Sequence, residues 1–154
     1  MNRKEFLSDC GRMGFAGAVL SLFPWLESCS EKAKQEVKGE KARIGIIGTG
    51  SRGVFHIKHL LQMSNVEVVA LCDNYRPHLE DAAQYYPQAK QYDDYRRLLE
   101  DKSVQGVIIA TPLYLHGQMT MDALRAGKRV FCEKSMAFTL DEALEVYNLR
   151  KELG

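Results

Sequence analysis

The feature that most constrains this chain is a glycine motif that lies between an apolar run and an amphipathic stretch. Residues 43–47 read R-I-G-I-I, which is typical of a strand buried on both faces. Gly48, Gly50 and Gly53 follow in a G-x-G-x-x-G spacing, and apolar residues then recur at helical intervals over residues 54–61. The motif is therefore predicted where a strand gives way to a helix, and backbone N–H groups at a helix N-terminus can bind a phosphate.

A second apolar run, residues 67–72, ends at Asp73, which lies 20 residues beyond Gly53. In dinucleotide-binding folds an acidic residue at about this distance binds the ribose 2′-hydroxyl, so the joint pattern favours a dinucleotide site over a structural turn. Gly48 would permit the tight turn, Gly50 would let the backbone approach the pyrophosphate, and Gly53 would let the helix pack closely on the strand.

The nature of the predicted cofactor depends on the charges near Asp73. A carboxylate there favours NAD over NADP, because it repels a 2′-phosphate, although Arg76 lies close enough in sequence to neutralise it or to reach a phosphate. Ser51 and Arg52 lie inside the glycine loop and are predicted to contact the cofactor. Arg52 could contact a phosphate or the adenine face, or could be a solvated residue of the first helical turn.

From residue 43 onward the chain alternates predicted strands and helices, which is the pattern of a parallel sheet covered on both faces. We predict strands at residues 43–47, 67–72, 91–92, 106–110 and 129–132, and helices at 52–63, 77–85, 94–99, 115–126 and 140–153. The expected fold is an α/β, Rossmann-type doubly wound parallel sheet. A complete dinucleotide-binding domain usually has six strands, so we expect the chain to be truncated before strand six, as the N-terminal portion of something longer.

Two polar stretches follow the fourth and fifth predicted strands, and ligands bind outside the carboxyl ends of strands in open α/β sheets. The first contains Thr111, Pro112 and His116, and the second contains Glu133 and Lys134. Lys134 could project into the cleft and polarise or help to deprotonate a substrate hydroxyl, or it could be a surface lysine paired with Glu133. His116 could lie near the nicotinamide, or it could begin a helix with its ring satisfied by the backbone.

Composition narrows the class of partner. The 154 residues are 45% hydrophobic, which is enough for one compact domain with its own core. The 21 basic and 20 acidic residues give a net charge of +1, so electrostatics offers no argument for a nucleic-acid partner. The four cysteines lie far apart without a C-x-x-C pair, and we predict neither a metal site nor a disulfide framework.

The first 29 residues have the composition of an export signal. Residues 2–7 read N-R-K-E-F-L, which resembles a twin-arginine signal, and residues 13–26 form an apolar segment too short to span a bilayer comfortably. Residues 26–29 resemble a lipoprotein box, which would attach a lipid to Cys29. The charged residues 30–42 read as a linker. We expect a periplasmic protein or a membrane-anchored lipoprotein. An amphipathic helix retained in a cytoplasmic protein is the alternative.

Residues from about 42 to 154 resemble the N-terminal NAD(P)-binding domain of the Gfo/Idh/MocA family (glucose–fructose oxidoreductase, inositol dehydrogenase, MocA). The resemblance rests on I-G-I-I-G-T-G-S-R-G, A-L-C-D, Y-D-D-Y-R-R-L-L, V-I-I-A-T-P-L-Y-L-H and A-L-R-A-G-K-R-V-F-C-E-K. It implies hydride transfer between NAD(P) and a sugar, inositol or related polyol. Lys134 matches the lysine of the family's E-K-P motif, which is a catalytic or substrate-orienting group, and Ser135 replaces the proline.

The resemblance also implies a C-terminal α/β domain that supplies a catalytic histidine, so that residues 1–154 alone should bind cofactor without turnover. It implies a homo-oligomer for the full-length protein. Exported members include NAD-containing glycosidases, in which transient oxidation of a sugar hydroxyl allows elimination to break the glycosidic bond before the hydride returns. Such a glycosidase is one alternative function, and a non-catalytic dinucleotide-binding module is another.

Overall fold

The computed structural model describes residues 39–154, and these form a five-stranded parallel sheet in the order β3-β2-β1-β4-β5. The predictions for the export signal, the lipid site at Cys29 and most of the linker lie outside the described residues. The strands are β1 (Ala42–Ile47), β2 (Val66–Cys72), β3 (Lys90–Tyr92), β4 (Gly106–Ile109) and β5 (Arg129–Cys132). The predicted Rossmann-type fold is therefore confirmed, with the sheet running out from β1 in both directions.

Helices cover both faces of the sheet. They are α1 (Ser51–Leu60), α2 (Arg76–Ala83), α3 (Tyr95–Glu100), α4 (His116–Arg125) and α5 (Leu140–Leu153), with a 3₁₀ turn at Leu113–Leu115 before α4. The first helix ends three residues earlier than predicted, because the amides of Gln62 and Met63 bond to carbonyls three residues back, at His59 and Leu60. Asp94 caps α3 by accepting a hydrogen bond from the Arg96 amide.

The core lies in two layers, one on each side of the sheet. Ile46 faces the layer formed by α1 and α2, whereas Ile47 faces the layer formed by α3 and α4, because successive side chains of a strand point to opposite faces. Both isoleucines are almost completely buried. This is the physical reason why β1 reads as a continuous apolar run rather than as an alternating pattern.

The strand register brings the predicted site residues to one edge of the sheet. Ile47 at the end of β1 pairs with Cys72 at the end of β2 and with Ile109 at the end of β4, and Ile109 pairs with Cys132 of β5. The residues that follow these strands therefore lie side by side. This edge is where the sheet order reverses direction around β1, and it is the usual ligand position in such folds.

Helix α5 packs on α4 and begins at a capping box, in which the Thr139 side chain and the Glu142 side chain each bind the backbone of the other residue. Within residues 39–154, every helix is too short or too polar to cross a bilayer.

Candidate functional site: a dinucleotide cleft

A cleft of about 870 Å³ lies outside the carboxyl ends of β1, β2 and β4. Five of the predicted cofactor-binding residues line it: Gly48, Gly50, Asp73, Thr111 and Pro112. A smaller pocket of about 300 Å³ shares Thr111 with this cleft and is lined also by Arg52, His116, Glu133 and Lys134. Nine of the predicted residues therefore divide between two adjoining pockets, one near β2 and the other near β5, and Ser51 and Gly53 line neither of them.

Two of the three motif glycines are required by their surroundings. Gly48 has a φ angle of +88°, and a Cβ atom on it would lie 2.8 Å from the backbone of Ala110. A Cβ atom on Gly53 would overlap the carbonyl oxygen of Gly48, because α1 starts directly against the end of β1. Gly50 has more room, with its nearest neighbour on His78 at 3.4 Å from such a Cβ atom.

The start of α1 is suited to an anion. Gly50 is the N-cap residue and makes no side-chain cap, so the first N–H groups of the helix are left to a ligand or to water. Ser51, the first residue of the helix, is exposed and lines a groove beside Gly50. The cradle that the glycines form and the free helix start together fit the pyrophosphate of a dinucleotide.

Asp73 is held firmly at the end of β2. Its Oδ2 atom accepts hydrogen bonds from the Thr49 amide at 2.8 Å and from the Thr49 hydroxyl at 3.3 Å. Its Oδ1 atom accepts one from the Tyr75 amide at 2.9 Å. The side chain is 11% exposed, so the carboxylate is fixed beside the glycine loop and still borders the cleft. Two carboxylate oxygens offer about four lone-pair sites, which leaves capacity for a ribose hydroxyl.

The basic side chain nearest to Asp73 is not the one that sequence proximity suggested. The Arg76 side chain is 75% exposed and turns to Glu80, with Nε 2.8 Å from Oε1. His78 is nearer, with Nδ1 3.7 Å from Oδ2 of Asp73. The sequence analysis missed His78, although its position in the first turn of the helix after β2 is a signal that could have found it.

At the other end of the cleft, one carboxylate joins β5 to α1. The Oε1 atom of Glu133 lies 2.7 Å from Nε of Arg52 and 2.7 Å from Nε2 of His56. The Arg52 guanidinium also lies over the ring of Phe55, at 4.4 Å from its centroid. Arg52 thus faces β5, and His56 is a second member of this network that the sequence analysis missed.

The same contacts decide the charge of Glu133. The hydrogen bond from Arg52 is the main cause that lowers its pKa from 4.5 to about 2, and His56 and the Lys134 amide lower it further against the opposing effect of burial. The carboxylate is therefore ionised at neutral pH.

Lys134 is exposed directly after β5 and lines the smaller pocket. Its amide lies 3.2 Å from Oε2 of Glu133, and the peptide bond between Lys134 and Ser135 is cis. Because the other oxygen of Glu133 bonds to Arg52 and His56, this carboxylate interacts mainly with side chains of α1.

His116 is buried and ties two loops together. Its ring is 2% exposed, with Nδ1 2.8 Å from the carbonyl oxygen of Ser135 and Nε2 2.8 Å from that of Thr111. The ring is therefore bonded to the backbone, and it links the turn after β4 to the loop that carries Lys134.

The two described cysteines are poorly suited to nucleophilic catalysis. Burial raises the pKa of Cys72 to about 12, with Asp73 as the next cause, and burial also raises the pKa of Cys132. Among residues 39–154, no cluster of three or more histidine, cysteine, aspartate or glutamate side chains could hold a metal ion.

Comparison with known proteins agrees with this geometry. Residues 42–154 match the Gfo/Idh/MocA family model, described as an oxidoreductase family with an NAD-binding Rossmann fold. A glycosyl hydrolase family 109 protein of Stenotrophomonas maltophilia is 34% identical to the whole chain, which covers 34% of that relative. Inositol 2-dehydrogenase of Salmonella typhimurium is 38% identical over 73% of the chain and 34% of the enzyme.

Solved structures show the same likeness. The myo-inositol dehydrogenase of Lactobacillus casei, in complex with NAD(H) and myo-inositol, matches with a TM-score of 0.70 and 31% identity over 73% of this chain and 34% of that one. The chain spans about a third of the length of these relatives. The family match over residues 42–154 agrees with the glycine loop and with the fixed acid after β2. The chain belongs to the Gfo/Idh/MocA oxidoreductase family and contains its NAD-binding Rossmann domain.

Proposed function

We propose that this chain binds NAD and serves an oxidoreductase that transfers hydride between the nicotinamide and a hydroxyl carbon of a sugar, inositol or related polyol. The observation that carries the proposal is the geometry around Gly48. Its positive φ and its contact with Ala110 fit a loop shaped to hold a pyrophosphate beside the fixed carboxylate of Asp73. The cofactor would accept the hydride from the hydroxyl carbon, and the protein would bind and orient the cofactor.

We propose NAD rather than NADP because the adenosine end of the cleft is acidic. Asp73, Asp93 and Asp94 all line this part of the cleft. Arg76, the cation that could have offset Asp73, is engaged by Glu80. Asp93 and Asp94 pair with Arg97 and Arg96, so Asp73 is the carboxylate that would chiefly repel an additional 2′-phosphate. Ribose hydroxyls, in contrast, can donate hydrogen bonds to Asp73.

Lys134 is the proposed catalytic residue. It is exposed at the carboxyl end of β5 in the pocket that Thr111 and His116 also line. An ammonium group there can hydrogen bond to a substrate hydroxyl and ease the loss of its proton. Glu133 supports this role, because its strongest contacts are to Arg52 and His56 and leave the charge of Lys134 available for substrate.

A second candidate is an NAD-dependent glycosidase, and the extent of the matches favours it. The relatives described as glycosyl hydrolase family 109 proteins match 95–100% of the chain, whereas the inositol 2-dehydrogenases match 73%. The segment before the Rossmann domain therefore has a counterpart in the former group. We propose that this segment directs export, with a lipid on Cys29, and that a retained, recycled cofactor would suit an exported enzyme.

The binding proposal is tested by calorimetric titration of the 154-residue chain with NAD. We expect saturable binding together with a rise in melting temperature. A folded chain that binds no NAD would refute the proposal and favour a structural module.

The reaction is tested with the intact protein. Sustained NADH formation from free polyols supports the dehydrogenase, whereas release of an aryl alcohol from aryl glycosides without net NADH supports the glycosidase. Lys134→Ala should abolish whichever activity is found, and Lys151→Ala, an exposed lysine at the end of α5, is the matched control.

A further inference from the structure

We infer that His78 sets how strongly the cleft rejects the 2′-phosphate of NADP, and that it does so through its own charge. The inference rests on the proposed dinucleotide function and extends it to the choice of cofactor. The inference depends on the position of the imidazole, which lies between the glycine loop and Asp73, the acid proposed to bind the ribose.

Two measurements define that position. Nδ1 of His78 lies 3.7 Å from Oδ2 of Asp73, and the same ring would be 3.4 Å from a Cβ atom on Gly50. The ring of Tyr75 meets the imidazole edge to face, with centroids 4.8 Å apart. The His78 side chain is 49% exposed, so a bound ligand and solvent protons can both reach it.

The Asp73 carboxylate is held at a fixed position beside His78. Amide donors of Thr49 and Tyr75 hold both carboxylate oxygens in place. When the imidazole is neutral, a 2′-phosphate meets an unopposed carboxylate. When it is protonated, the imidazolium offsets that charge and attracts the phosphate. NAD has no phosphate at this position, so its affinity should change less.

Histidine is the side-chain type that ordinarily changes its charge between about pH 5 and 8, and His78 is the described histidine beside Asp73. The other charged groups that line the same cleft and the groove beside it are Lys58 of α1, Asp81 of the helix that carries His78, and Asp93, Asp94 and Arg96 across the cleft. Lysine and aspartate side chains ordinarily keep one charge over this range. Asp93 and Asp94 are also paired with arginines, at 3.6 and 3.5 Å.

The other described histidines have different partners. His56 bonds to Glu133, and His59 bonds to the carbonyl oxygen of Phe55. His116 bonds to two backbone carbonyls at the β4–β5 side of the site. None of these contacts involves Asp73, so a pH effect on cofactor choice can be assigned to His78 by substitution.

The experiment is a calorimetric measurement of Kd for NAD and for NADP with the 154-residue chain at about pH 5.5 and about pH 8. A 2′-phosphate itself titrates near pH 6, so wild type must be compared with His78→Gln, in which only the ligand titrates. We expect acidification to lower the ratio of Kd for NADP to Kd for NAD. The decrease should be about two- to fivefold larger in wild type than in His78→Gln, which is the size expected for a half-exposed charge pair.

The second part of the experiment replaces His78 with a residue that is always positively charged. His78→Arg should lower the ratio at both pH values, and His59→Gln, on the exposed side of α1, should behave as wild type. Equal pH dependence in wild type and His78→Gln, with NAD binding intact, overturns this inference while the proposed function stands. A folded chain that binds neither nucleotide overturns both.

Discussion

Nε of Arg52 lies 2.7 Å from Oε1 of Glu133, so the first turn of α1 is joined directly to the end of β5. The two residues are separated by 81 positions in the sequence. Through this ion pair, the backbone that carries Lys134 is held against the helix that follows the glycine loop. The elements that would bind the pyrophosphate and the nicotinamide end of a dinucleotide are therefore joined by a direct side-chain contact.

Glu133→Gln should make the stability of the protein less dependent on pH at the acid end. The pKa of Glu133 falls from 4.5 to about 2 on folding, chiefly because of Arg52. Its stabilising contribution is fully present above pH 4.5 and is lost as the pH falls through about 2. Wild type should exceed the variant in unfolding free energy at pH 7, and the difference should shrink towards pH 2, as measured by urea denaturation.

Glu145→Gln is the matched control for that experiment, since Glu145 is an exposed residue of α5. Its difference from wild type should stay small at every pH. A Glu133→Gln difference that is constant from pH 7 to pH 2 would contradict the ion-pair account.

Gly48→Ala should destabilise the domain and abolish NAD binding. Alanine is strained in the left-handed backbone conformation at φ +88°, and its Cβ atom would also clash with the backbone of Ala110. Gly127→Ala is a matched comparison, because Gly127 has φ +70° but a Cβ atom there would have no neighbour within 4 Å. Both variants share the strain of a positive φ, so we expect thermal or urea denaturation to show a loss larger by about 1–3 kcal/mol for Gly48→Ala, because of the clash. Equal losses would show that the contact with Ala110 is unimportant.

Asp73→Asn should weaken NAD binding by about ten- to a hundredfold, which corresponds to a lost charged hydrogen bond. NADP binding should weaken less, because removal of the carboxylate also removes the repulsion of the 2′-phosphate. Calorimetric titration with both nucleotides measures the ratio directly. Asp93→Asn, in an exposed residue on the rim of the same cleft, should change the ratio little. A parallel loss for both nucleotides in Asp73→Asn would argue against a role in cofactor choice.

His116→Phe should loosen the loop that carries Lys134. The substitution leaves the carbonyl oxygens of Thr111 and Ser135 without their imidazole partner, at a cost of about 1–3 kcal/mol for a buried polar group left unpaired. Hydrogen exchange should accelerate over residues 133–138. His59→Phe is the control, because His59 is exposed and contacts only its own helix through the Phe55 carbonyl. Unchanged exchange in His116→Phe would exclude the linking role.

The fold was predictable because the signals that specify it are local. The apolar run of β1 reflects burial on both faces, and Asp94 and Gly127 mark a helix start and a helix end through their own backbone preferences. Of the ten strand ends, six coincide with the prediction and four differ from it by one residue. The sequence predicts α4 from Leu115, whereas Leu115 is the last residue of a 3₁₀ turn at Leu113–Leu115, and the sequence analysis did not predict that turn.

The candidate site was less predictable, because its contacts depend on how helices are rotated on the sheet. Arg76 is close to Asp73 in sequence, yet the helix turns it towards Glu80, one turn further along α2. His78 instead faces the acid. His56 meets Glu133 only because the register of β4 and β5 brings the end of β5 beside α1.

The sequence by itself determined the glycine loop, the acid after β2 and the parallel sheet, because spacing along one strand and one helix specifies them. Tertiary structure alone decided which charges neutralise one another. Arg52 and His56 bind Glu133, and His78 approaches Asp73. No local sequence pattern encodes these contacts, because the partners belong to different elements. The reason is geometric: an ion pair requires two side chains within about 4 Å, and only the packed sheet brings residues from separate elements that close.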